Sequence, residues 1–448
     1  MNIKMTCVFG LAISAMLSLH AADVDHVLVR QLWPWSTDIQ VEYELNGVAA
    51  PVDLQVKAYK GETEIALPAN ALKGRLYAID ESGAGTFFID PVAVFGTSRT
   101  TIADFRVSVE AVASQASMTD PLYMILDLVS GEKTYLSKAD FLNGAAGEKA
   151  DILAGDVGKY ETDFGKVGPS FNTTLTDVLV WTGATNNLAF KHDKMVFRRI
   201  PAGGVRWLQG SDPDQAYRHR AKAETQRYCT LDKSYWMAIY ETTREQMRNL
   251  TGASSLPKGE DFGVTDIELL KVQPIQYYGW TGLKDTYTPN WATKSSLAIS
   301  LPTEAQWEFA CRAGTTTGLN SGKELTSASS HCSNLDEVAW YASHMAPRPA
   351  GAAEGMHSEV GLLKPNAYGL YDMHGNVAEF TLDRRDITAE RDNTEVFNPL
   401  VQDDTKLVVI CGGQTAAGTS ICLSAARDEH SATSGSRAGG FRLIITID

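Results

Sequence analysis

Residues 368–380 read YGLYDMHGNVAEF. Two carboxylates, Asp372 and Glu379, stand seven positions apart around Gly375 and Asn376, and no helical period runs through the segment. A Gly-Asn pair in such a stretch predicts a tight turn that needs positive φ, with Asp372 as a turn residue. A second reading is an oxygen cage for a hard cation. Hard cations are held by oxygen ligands that mix carboxylates with main-chain carbonyls. The rest of the chain has to decide between the two.

From about Met195 onward the sequence is rich in Trp, Tyr, Arg and Gly, with short helices and many loops. Two helix starts are readable. Thr243 with Gln246 and Thr303 with Gln306 each form a capping-box pattern. The second opens LPTEAQWEFACRAG at residues 301–314. Trp307, Ala310 and Cys311 fall at i, i+3 and i+4, so the spacing predicts a helix with that face buried and Cys311 pointing inward. The chain closes on GGFRLIITID, where Phe441, Leu443 and Ile445 alternate with Arg442 as in a half-buried strand.

Upstream the signal is β. VEYELNG alternates before an Asn-Gly turn, VDLQVKAY puts Val52, Leu54, Val56 and Ala58 on one face, and TTIADFRVSVEAV alternates from Ile102. Short strands separated by NG, KGE and ESGAG turns predict an immunoglobulin-like β-sandwich over residues 23–116. Residues 117–190 read as a connecting segment. It begins with a hairpin, PLYMILDLVSGEKTYL, and continues into a stretch rich in glycine and charge. The expected architecture is multi-domain: an all-β sandwich followed by a loop-rich α+β domain over residues 191–448.

The chain of 448 residues suffices for two or three domains, and its 44% hydrophobic and 21% charged residues are ordinary for globular proteins. Net charge is −14. Residues 23–190 carry 23 acidic against 12 basic side chains, and residues 191–448 carry 31 against 27. No basic face emerges, which argues against a nucleic-acid partner. The first 22 residues have an export layout: Lys4, an apolar run over residues 8–19, then Ala21 and Ala22. The run is too short to span a bilayer, and no later stretch is long enough. The reading is an exported chain, periplasmic or secreted, cleaved near Ala22. Cys7 lies too early in this leader for a lipoprotein anchor. Five cysteines follow: Cys229, Cys311, Cys332, Cys411 and Cys422. The number is odd, no CxxC occurs, and the spacing is not that of a zinc module. No HExxH, GxSxG or Gly-rich phosphate loop is present, and the nine histidines are scattered.

MVFRRIPAG, LPTEAQWEFACRAG, NAYGLYDMHGNVAEF and GGFRLI occur in this order. Together they resemble the sulfatase-modifying-factor family, whose founding members are the formylglycine-generating enzymes. The resemblance covers about residues 191–448 and implies a compact, loop-rich α+β relative of the C-type lectin fold. It implies structural calcium held by the side chains of Asp372 and Glu379 and the carbonyls of Gly375 and Val377. It implies a second calcium near SNLDE, with Asn334 and the Leu335 carbonyl as ligands. It also implies a disulfide between Cys311 and Cys422.

The founding enzymes oxidise a cysteine of a client sulfatase to formylglycine with copper and oxygen. They hold copper with two cysteines that follow a Gly-Gly-Ser motif. Here Gly412 and Gly413 are followed by Gln414, Thr415, Ala416 and Ala417, and the Trp of the family's GNxWE motif is Ala378. Copper(I) is soft and selects thiolates, so copper is not expected. Iron-using branches draw histidines from an N-terminal helical bundle, which a β-rich N-terminus does not supply. The first expectation is therefore a member without catalytic residues. It would bind a protein, peptide or glycan, with Gln414, Thr415, Arg427 and Ala378 as candidate groove residues. The alternative is an enzyme, of the formylglycine-generating type or a divergent oxidase, acting on an exported protein or peptide. For the divergent form, Arg427, Asp428, Glu429 and His430 offer polar chemistry; their bland reading is a solvated turn.

Overall fold

A computed structural model describes residues 22–31, 36–68, 71–97, 104–144, 148–153, 179–259, 261, 263–328, 331–345, 357–388, 390–403, 405–435 and 437–447. The expected leader, apart from Ala22, lies outside these residues, as does most of the glycine- and charge-rich part of the connecting segment. The chain forms two compact units. One runs to Asp120 and includes Leu142–Gly144; the other comprises Pro121–Phe141 and the chain from Ala145 on.

In the first unit the alternating runs become strands: β1 (Asp23–Gln31), β2 (Ile39–Asn46), β3 (Val52–Lys60), β4 (Thr63–Ile65), β5 (Leu72–Gly74), β6 (Gly83–Ile89) and β7 (Phe105–Ala113). They form antiparallel sheets of order β1-β2-β6-β5 and β4-β3-β7. Side chains of both sheets, among them Val41, Leu45, Phe87, Val52, Leu54 and Ala111, share one apolar core. Along β3, Val52, Leu54 and Ala58 are buried and Val56 is half-buried, as the period of two requires. Polar side chains tie the connections. Asp53 accepts from the Ala78 amide at 2.8 Å and the Ser114 hydroxyl at 2.7 Å, and Asn143 Oδ1 accepts from the Leu76 and Tyr77 amides at 2.8 Å.

The second unit is built on a six-stranded sheet. Its strands are β8 (Pro121–Asp127), β9 (Lys133–Ser137), β10 (Lys194–Ile200), β13 (Tyr235–Ala238), β14 (Ile299–Ser300) and β22 (Ile444–Thr446), in the order β14-β22-β13-β10-β8-β9. The 121–137 hairpin is thus hydrogen-bonded into this sheet, with Phe197 of β10 opposite Met124 of β8. Apolar material covers both faces. Tyr123 and Ile125 enter one core with Val196 and Ile200, while Met124 and Leu126 enter a second with Met195 and Phe197. That explains the unbroken apolar run in β8, since a strand buried on both faces has no polar side to alternate with.

Three smaller sheets accompany the six-stranded one among the described residues. They are β11-β12-β18, from Val205–Gln209, Arg227–Leu231 and Val396–Phe397; β15-β16, from Ala339–Trp340 and His374–Gly375; and β20-β19-β17-β21, from Asp428–Ser431, Leu407–Cys411, Ala378–Phe380 and Gly439–Gly440. Both expected capping boxes form, at the helices Arg244–Thr251 and Glu304–Arg312. In the second box the Gln306 amide donates to Thr303 Oγ1 at 3.2 Å, and Gln306 Oε1 accepts from the Thr303 amide at 2.9 Å. Cys311 faces inward as predicted. The helix departs from a one-faced pattern in that Glu304, Glu308 and Arg312 are buried as well.

Candidate functional site

The 372–379 segment is a buried, left-handed turn. Asp372, Gly375 and Asn376 have φ of 55°, 76° and 57°. Gly375 is required twice over: its φ is positive, and a Cβ there would lie 2.1 Å from the Trp340 carbonyl oxygen. The turn is held by its neighbours. The Asn376 amide donates to Trp340 O at 2.9 Å, and the Thr415 amide donates to Asn376 O at 3.0 Å. Glu241, fully buried, accepts from Asn376 Nδ2 at 2.6 Å and from the Val377 amide at 3.0 Å. Burial, with Asp372 and Glu379 adding to it, pushes the Glu241 carboxyl well above the usual carboxylate range.

The two carboxylates of the motif have different surroundings. Glu379 Oε1 accepts from Arg442 Nη2 at 2.8 Å and Nε at 3.1 Å, and Oε2 accepts from Trp307 Nε1 at 2.7 Å. Asp372 Oδ2 accepts from the Gly361 amide at 2.7 Å, but Oδ1 is buried and has no hydrogen-bond donor. Burial pushes the Asp372 carboxyl up to about 6 against the pull of that amide and of Arg442. Other buried oxygens without a partner lie on the chain segments around this turn: Tyr240 Oη, Thr242 Oγ1, Gln273 Oε1 and Ser358 Oγ. Oxygen-only donors of this kind fit a hard cation or ordered water. By this test Asp372 fits calcium, whereas the oxygens of Glu379 are already committed to a guanidinium and an indole. No three His, Cys, Asp or Glu side chains converge as metal ligands among the described residues.

The other expected residues are dispersed. Asn334 is half-buried and donates to the Glu324 carbonyl at 2.9 Å, while the Leu335 carbonyl accepts from the Val338 amide at 3.0 Å. All five described cysteines are free buried thiols, so the Cys311–Cys422 bond implied by the resemblance is not formed in this structure. His374 sits beside both. Its Nδ1 lies 2.5 Å from the Cys422 carbonyl, and its Nε2 accepts from the Asn320 amide at 3.1 Å, 4.0 Å from Cys311 Sγ. Burial lowers this imidazole to about 4, so it is neutral.

Of the candidate groove residues, Gln414 is half-buried, Thr415 is buried with its hydroxyl 3.3 Å from His357 Nδ1, and Ala378 packs into an apolar core. Arg427 is fully buried and makes ion pairs with Glu304 and Glu308. Asp428, Glu429 and His430 form a half-buried strand rather than a solvated turn; Asp428 pairs with Arg220 at 2.9 Å. Glu241 and His357 escaped sequence reading.

The family model of the sulfatase-modifying factor enzyme 1-like domain matches residues 188–447, and the chain belongs to that family. The formylglycine-generating enzymes of Mus musculus and Bos taurus are 31% and 30% identical to it over 173 residues. That match takes in 38% of this chain and 43% of each relative, so less than half of the relatives' length is covered. Among solved structures, Treponema denticola variable protein 1 is 20% identical, with a TM-score of 0.46 over 57% of this chain and 96% of that one. PvdO from Pseudomonas aeruginosa is 22% identical, with a TM-score of 0.43 over 56% of this chain and 94% of that one.

Proposed function

We propose that the chain is a non-catalytic member of its family: an exported protein whose C-terminal domain binds a protein, peptide or glycan. In this reading the N-terminal sheets form a sandwich that serves as a spacer or second binding module. The observation that carries it is the sulfur chemistry after Gly413. Gln414, Thr415, Ala416 and Ala417 supply no thiolate, and the flanking Cys411 and Cys422 are buried. Burial pushes the Cys422 thiol up to about 12 and raises Cys411 further. A soft metal needs the thiolate, which such surroundings disfavour.

Calcium has a structural part in this reading. Asp372 Oδ1 and the carbonyls of Gly375 and Val377 would hold it, adding oxygen coordination to a turn that few ladder hydrogen bonds support. The function is tested by incubating the protein with a peptide carrying a sulfatase-type cysteine motif, copper and oxygen, and following the mass of the peptide cysteine. No formylglycine is expected. Conversion above the no-protein control would replace this reading with the oxidase.

A further inference from the structure

The Glu304–Arg312 helix carries its charged side chains into the interior, where four arginines meet two glutamates. Glu304 pairs with Arg385 at 2.9 Å, with Arg427 at 3.0 Å and with Arg391. Glu308 pairs with Arg312 at 2.8 Å and with Arg427 at 2.5 Å. All six side chains are at most 8% exposed. Two further acids lie close but pair with no guanidinium among the described residues. Asp383 accepts from the Glu304 and Val401 amides, and Glu224 accepts from the Ser211 hydroxyl and the Arg220 amide. Burial and the Glu304 charge push Asp383 up to about 7, so it is an unreliable counter-charge. Arg391 is lowered to about 10, by burial first and then by Arg385 and Arg427. Four guanidinium groups thus share Glu304 and Glu308 as their ion-pair partners.

The unsatisfied atoms agree in sign. Arg391 Nη1 is buried without an acceptor. So is Nε2 of the fully buried Gln209, whose amide orientation is fixed because its Oε1 accepts from Arg227 Nε at 3.0 Å. Glu308 links the two stretches of chain. Gly210, next in chain to Gln209, donates its amide to Glu308 at 2.8 Å, and Arg391 acts on the same carboxylate. Around the 372–379 turn the unpartnered atoms named above are oxygens; here they are N–H donors. A buried guanidinium with an unpaired N–H group calls for an anion.

We propose that the second unit binds a small monovalent anion, chloride in the simplest case, between Arg391 and Gln209 inside the arginine–glutamate cluster. A monovalent ion offsets the charge of the guanidinium groups, and its spherical acceptor surface suits unpartnered N–H donors. The site would be structural, linking the helix to the 385–391 segment and to β11.

The test uses thermal unfolding of the intact protein with sodium gluconate replaced by sodium chloride or bromide at constant ionic strength. The midpoint should rise and saturate, by about 2–5 °C once the halide is well above its dissociation constant. Gln209→Glu is the deciding variant, because it places a carboxylate where the ion would sit. It should be more stable than the parent in gluconate and no longer respond to halide. Gln209→Leu keeps the ion pairs intact and should lose the halide response without the gain. Equal midpoints in gluconate and chloride would overturn the proposal. So would a halide response that survives in both variants, which would be general salt screening. Bromide-soaked crystals should give an anomalous peak beside Arg391 Nη1, and ordered water there without bromide would likewise overturn it.

Discussion

Arg442 Nη2 lies 2.8 Å from Glu379 Oε1, with both side chains at most 1% exposed. The same guanidinium donates to the carbonyls of Ala238 at 3.0 Å and Tyr371 at 2.7 Å. One residue of the closing GGFRLI motif therefore joins the central sheet to the 371–379 segment. Removing one partner of a buried pair leaves the other charge uncompensated, at a cost of about 3–5 kcal/mol. Arg442→Met should lower the unfolding free energy by that amount, measured by urea denaturation. Glu379→Gln with Arg442→Met should cost less than the sum of the single changes, by about 1 kcal/mol or more.

Calcium at Asp372 would bind the folded state alone and so add stability by mass action. A chelator should lower the midpoint of the parent protein, and Asp372→Ala should abolish the difference between chelator and calcium. An unchanged midpoint in chelator would reduce the segment to a hydrogen-bonded turn.

Thiol counting separates two states of the cysteines. The structure holds Cys229, Cys311, Cys332, Cys411 and Cys422 as free and buried. Alkylation without reductant should label almost none of them in native protein and all five in denaturant. A Cys311–Cys422 bond would leave three reactive, and non-reducing peptide maps would show the linked pair.

Asp383 makes stability depend on pH with a definite sign. Its folded carboxyl is raised to about 7, above the unfolded value near 4, so the folded state binds the proton more tightly. The proton is retained on folding between those values, and stability from this group falls as pH rises through that window. Asp383→Asn is neutral throughout. Relative to the parent, it should therefore gain on the order of 4 kcal/mol between pH 4 and pH 8, from about 1.4 kcal/mol per pKa unit. An offset between the two proteins that stays constant with pH would show that Asp383 is ionised throughout.

The sequence carried local information well and long-range information poorly. The capping boxes at Thr243 and Thr303 and the alternation in β3 were legible because each depends on residues a few positions apart. The Gly375 turn was legible because glycine followed by asparagine has few other uses. Arg427 was misplaced as a groove residue. Its partners Glu304 and Glu308 lie more than a hundred positions away, and an arginine beside Asp428, Glu429 and His430 looks solvated until the fold brings the acids to it. Glu241 was invisible for the same reason, since its partners Asn376 and Val377 belong to a different segment. The commitment of Glu379 to Arg442 and Trp307 likewise depends on three distant stretches meeting.

The strand order of the six-stranded sheet bears on how the chain is made. The first unit is complete once Gly144 has left the ribosome, because it needs nothing beyond Leu142–Gly144. The 121–137 hairpin emerges before that point but belongs to a sheet whose strand β22, at Ile444–Thr446, lies between β13 and β14. β8 can pair with β9 at once and with β10 as soon as Ile200 has emerged, but Met124 and Leu126 share their core with Phe441, Leu443 and Ile445, so that face stays incompletely covered until those residues have been synthesised. Such non-local packing is slow, and the waiting face is exposed to aggregation. Nascent chains released shortly before residue 444 should contain a protease-resistant N-terminal unit and a C-terminal half that stays bound to chaperones.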